Sequence, residues 1–202
     1  MKIDEILRIS TQNFPIRGVE KLLKLTQDGY GYIDDLIVNY VESGDDRVIV
    51  LTDKEKIAAF AGFISRLNGR VWQSKNLQTY DDYRGRNLGG KIYKYVREVF
   101  KKSIQSDIEQ SQSSEILWTK TLPKLGMNPK IFDTRTEYII DKSNITAYST
   151  TLSKMYTSDD NDSEKYRYTW ILEKFDHYNE NSILRENTIL MPYTRIWYNF
   201  KE

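Results

Sequence analysis

Between Arg47 and Tyr80 lie three short runs rich in apolar and β-branched residues: "RVIVLTD", "IAAFAGFISRL" and "VWQSKNLQTY". They are separated only by "KEK" and "NGR". Such runs suit extended backbone on a pleated surface. Asn68-Gly69 is a strong hairpin signal, and "KEK" reads as a second tight turn. Connections this short join antiparallel neighbours. The segment is therefore expected to be a three-stranded antiparallel meander.

"YRGRNLGGKIYKYVREVF", residues 83 to 100, follows it. The apolar positions Leu88, Ile92, Tyr95, Val96, Val99 and Phe100 have the spacing of an amphipathic helix. Its Ile92, Val96 and Val99 side is expected to be buried. Gly89 and Gly90 stand where this helix begins, although glycine is a poor helix former. A helix's first turn has unpaired N–H groups and partial positive charge. Glycine there lets a ligand approach the backbone closely. A phosphate binds such a place without further devices. Arg84 and Arg86 flank the turn, and Lys91, Lys94, Arg97, Lys101 and Lys102 follow, opposed only by Glu98. Two readings stand: an ordinary turn before a solvated helix face, or an anion-binding loop. The order of elements, three strands and then a glycine turn opening a helix, favours the loop.

Elsewhere the pattern is mixed. "MKIDEILRIS" reads as a short helix or strand. From Ile16 to Tyr40 the apolar spacing predicts two helices divided at Gly29 and Gly31. "ESGDDR" reads as a loop, and "DIEQSQ" as a short strand. "SSEILWTKTLPKLGM" reads as a helix disturbed by Pro123 and ended by Gly126. "KIFDTRTEYIID" reads as one strand, "TSDDNDSEK" as an acidic loop and "YRYTWILEKF" as a strand. "TILMPYTRIWYNF" is apolar and divided by Pro192. This order predicts an α+β fold with a mixed, mostly antiparallel twisted sheet flanked by helices, not regular βαβ alternation.

Composition removes several chemistries. The 202 residues contain no cysteine, which excludes disulfides, thiolate metal sites and a thiol nucleophile. His177 is the only histidine, so no mechanism needing two imidazoles fits one chain. It reads as a surface residue, with a catalytic base as the alternative. No tight carboxylate motif points to a metal. Thirty Lys and Arg against 29 Asp and Glu give a net charge of +1, so bulk charge offers no argument for nucleic acid or an anionic membrane. The first ten residues lack a long apolar stretch, so neither a signal peptide nor a membrane anchor is expected, and a cytoplasmic protein is. "LMPYTRIWYNFK" interleaves aromatics with Arg195 and Lys201; it reads as a packed strand edge or as a surface for stacking bases.

Arg84-Gly85-Arg86-Asn87-Leu88-Gly89 resembles the coenzyme A signature of the GNAT family of N-acetyltransferases. That signature runs Arg or Gln, two residues, Gly, one residue, Gly or Ala. Asn87 stands where its first glycine is expected, and asparagine is the residue that best tolerates left-handed backbone after glycine. "TYDDYRG" is similar to the approach to this signature, and "LPKLGM" is similar to a later helix end of the family. The similarity of element order runs from about residue 16 to 140.

The resemblance implies a GNAT-like acyl-CoA-binding core over 1–142. Residues 143–202 would complete the sheet and shape an acceptor site within the same compact domain. It implies acetyl-CoA in a gap between the strand ending at Gln78-Thr79 and a strand near Ile108 to Gln110. Leu77, Gln78 and Thr79 would pair with the pantetheine arm. Arg84, Gly85, Arg86, Asn87, Leu88, Gly89, Gly90 and Lys91 would form the pyrophosphate loop. An amine acceptor would attack the thioester directly. The family's frequent acid, a tyrosine, aligns with Leu122, and a frequent asparagine aligns with Glu115. Replacements by position are Tyr80, Glu109, Ser111, Ser113 and Glu115, each with a structural or solvated role as its alternative. The implied function is an acetyl-CoA-dependent N-acetyltransferase. Alternatives are the same fold acting on nucleic acid bases, or an inactive binding module.

Overall fold

The computed structural model describes residues 29–107, 111–140, 142–143, 145–157 and 166–174. The readings made for "MKIDEILRIS", for the first helix after Ile16, for Ile108 to Gln110 including Glu109, for the acidic stretch 158–165, for His177 and for the tail beyond it lie outside the described residues.

The meander forms as expected. β3 (Asp46–Asp53), β4 (Lys56–Arg66) and β5 (Val71–Thr79) pair antiparallel through tight turns. Along β3 every residue from Val48 to Leu51 is buried. Ile49 and Leu51 join the main core, and Val48 and Val50 point to the opposite face. An unbroken apolar run is what a strand covered on both faces requires.

The second helix expected before Tyr40 is instead a hairpin. β1 (Gly31–Ile33) and β2 (Leu36–Ser43) pair antiparallel, with Ile33 opposite Leu36. Asp34 takes a left-handed conformation (φ 54°) in the two-residue turn between them. The spacing of Ile33, Leu36, Ile37 and Tyr40 imitates a helix. However, Leu36 and Val38 are the fully buried pair, which is strand alternation.

α1 (Leu88–Glu98) packs Leu88, Ile92, Tyr93 and Val96 into the core. Val99, expected on the buried side, is 53% exposed. The helix ends at Glu98, and the chain turns through left-handed Lys101, so the apolar stripe stops at Val96.

Of the strand expected over "DIEQSQ", the described residues Asp107, Ser111 and Gln112 form no part. β6 is Ser103–Gln105, whereas Ser111 and Gln112 cap and open α2 (Gln112–Ile116). The Ser111 hydroxyl accepts from the Ser114 amide at 3.2 Å, and a serine so placed favours a helix start over a strand. The helix continues as a wide π turn over Leu117–Thr121 and one further turn, Leu122–Lys124. Pro123 has no N–H and its ring crowds the preceding turn, which accounts for the widening. Gly126 (φ 78°) ends it: the amides of Gly126 and Met127 donate to Pro123 O and Leu122 O at 3.0 and 3.1 Å, a Schellman closure.

"KIFDTRTEYIID" is a hairpin and not one strand: β7 (Lys130–Asp133) turns into β8 (Tyr138–Ile140). The Asp133 carboxylate accepts from the amides of Arg135 (2.9 Å) and Thr136 (3.3 Å), which fixes the turn. α3 (Ile145–Thr157) precedes β9 (Tyr168–Leu172). Trp170 of β9 stacks on Trp118 (6.1 Å, 4°), and its indole N–H donates to the Tyr156 hydroxyl of α3 at 2.8 Å.

These strands form one sheet in the order β1-β2-β3-β4-β5-β6-β9-β7-β8. β5–β6 is parallel and the other described pairs are antiparallel. The fold is therefore α+β with a mixed, mostly antiparallel sheet.

Candidate functional site

The parallel pair β5–β6 is short. It runs Val71↔Ser103, Trp72↔Ile104, Gln73↔Gln105 and then stops, although β5 continues to Thr79. Beyond Gln73, β5 stays paired with β4 alone, from Ser74 through Leu77, Gln78 and Thr79. Its other edge faces no described strand. A bulge helps to open this fork: Gly62 opposes Asn76 and Phe63 opposes Ser74, so Lys75 is the extra residue. Bulges bend the strand that carries them.

Lys75 does not point idly into the fork. Its ammonium lies 3.0 Å from Asp107, just past β6, so an ion pair bridges the mouth. The adjacent Ser74 hydroxyl accepts from Tyr93 at 2.5 Å. Burial pushes the Tyr93 hydroxyl pKa up, and the nearby Asp107 charge adds to the rise while the Ser74 bond opposes it. Lys75, Asp107 and Tyr93 were not singled out by sequence. Their significance comes from a bulge register and a strand end that no local pattern announces.

β5 leads through a short 3-10 turn (Asp81–Tyr83) into the glycine loop. Gly85 is left-handed (φ 82°), and so is Asn87 (φ 57°, ψ 31°). Asn87 is the N-cap of α1, yet its side chain makes no capping bond. The first intrahelical bond runs from the Lys91 amide to Asn87 O at 3.0 Å. The amides before Lys91 therefore have no acceptor within the helix. Gly89 and Gly90 serve packing as well as access. A Cβ on Gly89 would stand 2.8 Å from Leu77 Cδ2, and one on Gly90 would stand 2.7 Å from Leu125 Cδ1. These glycines press α1 against β5 on one side and against the end of the α2 segment on the other.

The loop's cations are already engaged. Arg86 pairs with Asp35 and, at 3.6 Å, with Asp34; Lys91 pairs with Asp34 at 2.6 Å. Both carboxylates sit at the tip of the β1–β2 turn. The Arg86 hydrogen bond holds the Asp35 carboxyl below its ordinary pKa, and the same bond raises that of Arg86. Arg84 is exposed and pairs with Asp81 at 2.8 Å.

The other sequence candidates scatter. Tyr80 follows β5 and packs against the main core, with its amide bonded to Ala58 O at 3.0 Å. Ser111 is spent as the cap of α2, Ser113 is exposed, and Glu115 is half-buried in the first turn of α2. Leu122 is fully buried beside Gly90, so that position offers no hydroxyl. Among the described residues, no group of three or more His, Cys, Asp or Glu stands where it could hold a metal, and no helix is long and apolar enough to cross a membrane.

No family model matches the chain, and no curated protein matches it. Among solved structures it is similar to a putative acetyltransferase from the GNAT family of Bacteroides thetaiotaomicron. That match has 9% identity and a TM-score of 0.33, and covers 57% of this chain and 76% of that one. It is also similar to the N-acetyltransferase PseH of Campylobacter jejuni, at 15% identity and a TM-score of 0.29 over 84% of this chain and 86% of that one. At these values the likeness is remote, and the functional reading below rests on the site.

Proposed function

We propose that the chain is an acetyl-CoA-dependent N-acetyltransferase acting on an amine. One observation carries the reading. An uncapped helix N-terminus, opened by left-handed Gly85 and Asn87, stands at the end of a strand whose outer edge, beyond Gln73, pairs with no described strand. The donor set suits the cofactor. The first-turn amides up to Lys91, with Arg86 and Lys91, would hold a pyrophosphate. The β5 backbone at Leu77, Gln78 and Thr79 would pair with the amides of a pantetheine arm. When bound, acetyl-CoA supplies an acyl group activated as a thioester.

The chain's own contribution is chiefly position. Transfer forms a carbon–nitrogen bond, breaks a carbon–sulfur bond and moves a proton from nitrogen to sulfur. Asp107 at the fork is the proposed acceptor of the amine proton, and Lys75, 3.0 Å away, holds its carboxylate in place. Leu122, where a hydroxyl acid would be expected, supports a second reading: a module that binds coenzyme A without turnover.

Calorimetric titration of the full chain with acetyl-CoA tests the cradle. Binding is expected, weakened about tenfold or more in Arg86→Glu, since a charge-assisted contact is replaced by repulsion. No heat at high micromolar ligand sinks both readings. Binding without acetylation of any amine in a broad panel leaves the second.

A further inference from the structure

A pocket of about 440 Å³ opens at the far end of α1 from the cradle. The helix between them spans eleven residues, roughly 16 Å. Four rings build its walls. Tyr40 and Trp72 are parallel (1°) at 5.9 Å. Phe100 lies 4.7 and 5.0 Å from them, and Tyr30 meets Tyr40 edge-on at 5.2 Å. Trp72 is almost fully buried and makes a floor, whereas Tyr30 is 56% exposed and offers a ring to solvent.

The charges around these rings are unequal. Glu42 accepts from the Tyr40 hydroxyl at 2.6 Å and lies 3.4 Å from the Arg47 guanidinium, so two donors already hold it. Arg47 is fixed in turn by the carbonyls of Gly44 and Asp46, at 2.6 and 2.8 Å. Lys102 forms no ion pair among the described residues. Its ammonium lies over Gly69, where a Cβ would come within 3.9 Å of Nζ. That glycine is the last of three successive left-handed residues, after Leu67 (φ 52°) and Asn68 (φ 54°). Left-handed backbone is unfavourable for leucine. The turn nonetheless holds it there, beside the ammonium.

We propose that this pocket is a second ligand site, taking a flat aromatic ring that carries an anionic group. The rings select a planar molecule by stacking. The surplus cation selects a negative charge at its edge, and the volume matches small-molecule sites. A nucleoside monophosphate and an aromatic carboxylate share this chemistry.

The test is calorimetry on the full chain with AMP and, separately, indole-3-acetate, with adenosine and inorganic phosphate as ring-only and charge-only probes. Saturable binding of one of the aromatic anions is expected, undiminished by saturating coenzyme A, and which one binds identifies the source. Its affinity should fall about fivefold in Lys102→Ala and fall also in Tyr30→Ala. Both side chains reach solvent, and Lys102→Arg should restore binding. The proposal is overturned if neither anion binds at millimolar concentration or if the variants leave affinity unchanged. It fails equally if coenzyme A displaces the ligand, or if adenosine or phosphate alone binds as tightly.

Discussion

At the scale of single residues, Asn87 shows what a sequence can reveal. It stands where a glycine is expected, and its identity suggests left-handed backbone; the chain adopts φ 57° there. Replacing it by alanine keeps the strain and loses the tolerance. Asn87→Ala should cost about 1 kcal/mol, whereas Asn87→Gly should stay within about 0.5 kcal/mol of the parent. Urea unfolding of both variants checks this, and a neutral alanine would contradict it. Gly89 is less clean as a probe. Any side chain there meets Leu77 whether or not an anion is bound, so Gly89→Glu would not isolate the loop's function. Asp34 and Asp35 were invisible in the sequence as site residues, because their partners Arg86 and Lys91 lie some fifty residues away. A phosphate must compete with these carboxylates. Asp34→Asn combined with Asp35→Asn should therefore tighten acetyl-CoA binding about fivefold at low salt, with a smaller gain at high salt. Weaker binding in the double variant would mean that the acidic tip shapes the loop and does not compete for it.

Among the elements, legibility followed the connections. The meander was readable because short turns force neighbours together, and α1 was readable from its apolar stripe. The two hairpins β1–β2 and β7–β8 were not. In the first, Asp34-Asp35 makes a turn without glycine, inside a run whose apolar spacing fits a helix. In the second, "TRTE" contains no Gly or Pro, and the Asp133 side chain does the turning. Asp133 also receives Arg167, just before β9, in a forked pair: Nε donates to Oδ1 at 3.0 Å and Nη2 to Oδ2 at 2.6 Å. Burial pushes its carboxyl up, but Arg167 and the turn amides outweigh this and hold it at about 2, against an ordinary 3.8. A depressed carboxyl stabilises the fold above its unfolded pKa, and that contribution fades as pH falls from about 4 to about 2. Asp133→Asn should thus be less stable than the parent by about 2 kcal/mol near neutrality. The gap should narrow through this acid window. A gap independent of pH would assign the loss to packing instead of charge.

For the molecule as a whole, the sheet order matters more than the list of strands. β9 arrives last among the described strands, yet it is not an edge. It pairs with β6 through Ile104↔Leu172 and with β7 through Lys130↔Ile171 to Asp133↔Tyr168. Among the described strands, the β7–β8 hairpin therefore joins the rest of the sheet only through β9, from the carboxy-terminal segment. Trp170 carries the same dependence into the core, where it stacks on Trp118 and binds Tyr156 of α3. The division at residue 142 is accordingly proposed to be one of sequence and not of folding. A chain ending at residue 142 would leave β6 and β7 without their shared neighbour and uncover Ile104, Trp118 and Ile131, all now fully or almost fully buried. Unpaired edges beside apolar surface neither fold cooperatively nor stay dispersed. That truncated chain should show no cooperative urea transition and no near-ultraviolet dichroism, while the full chain shows both. A sharp transition in the short chain, with acetyl-CoA still bound, would make residues 1–142 an autonomous unit and reduce β9 to a covering strand.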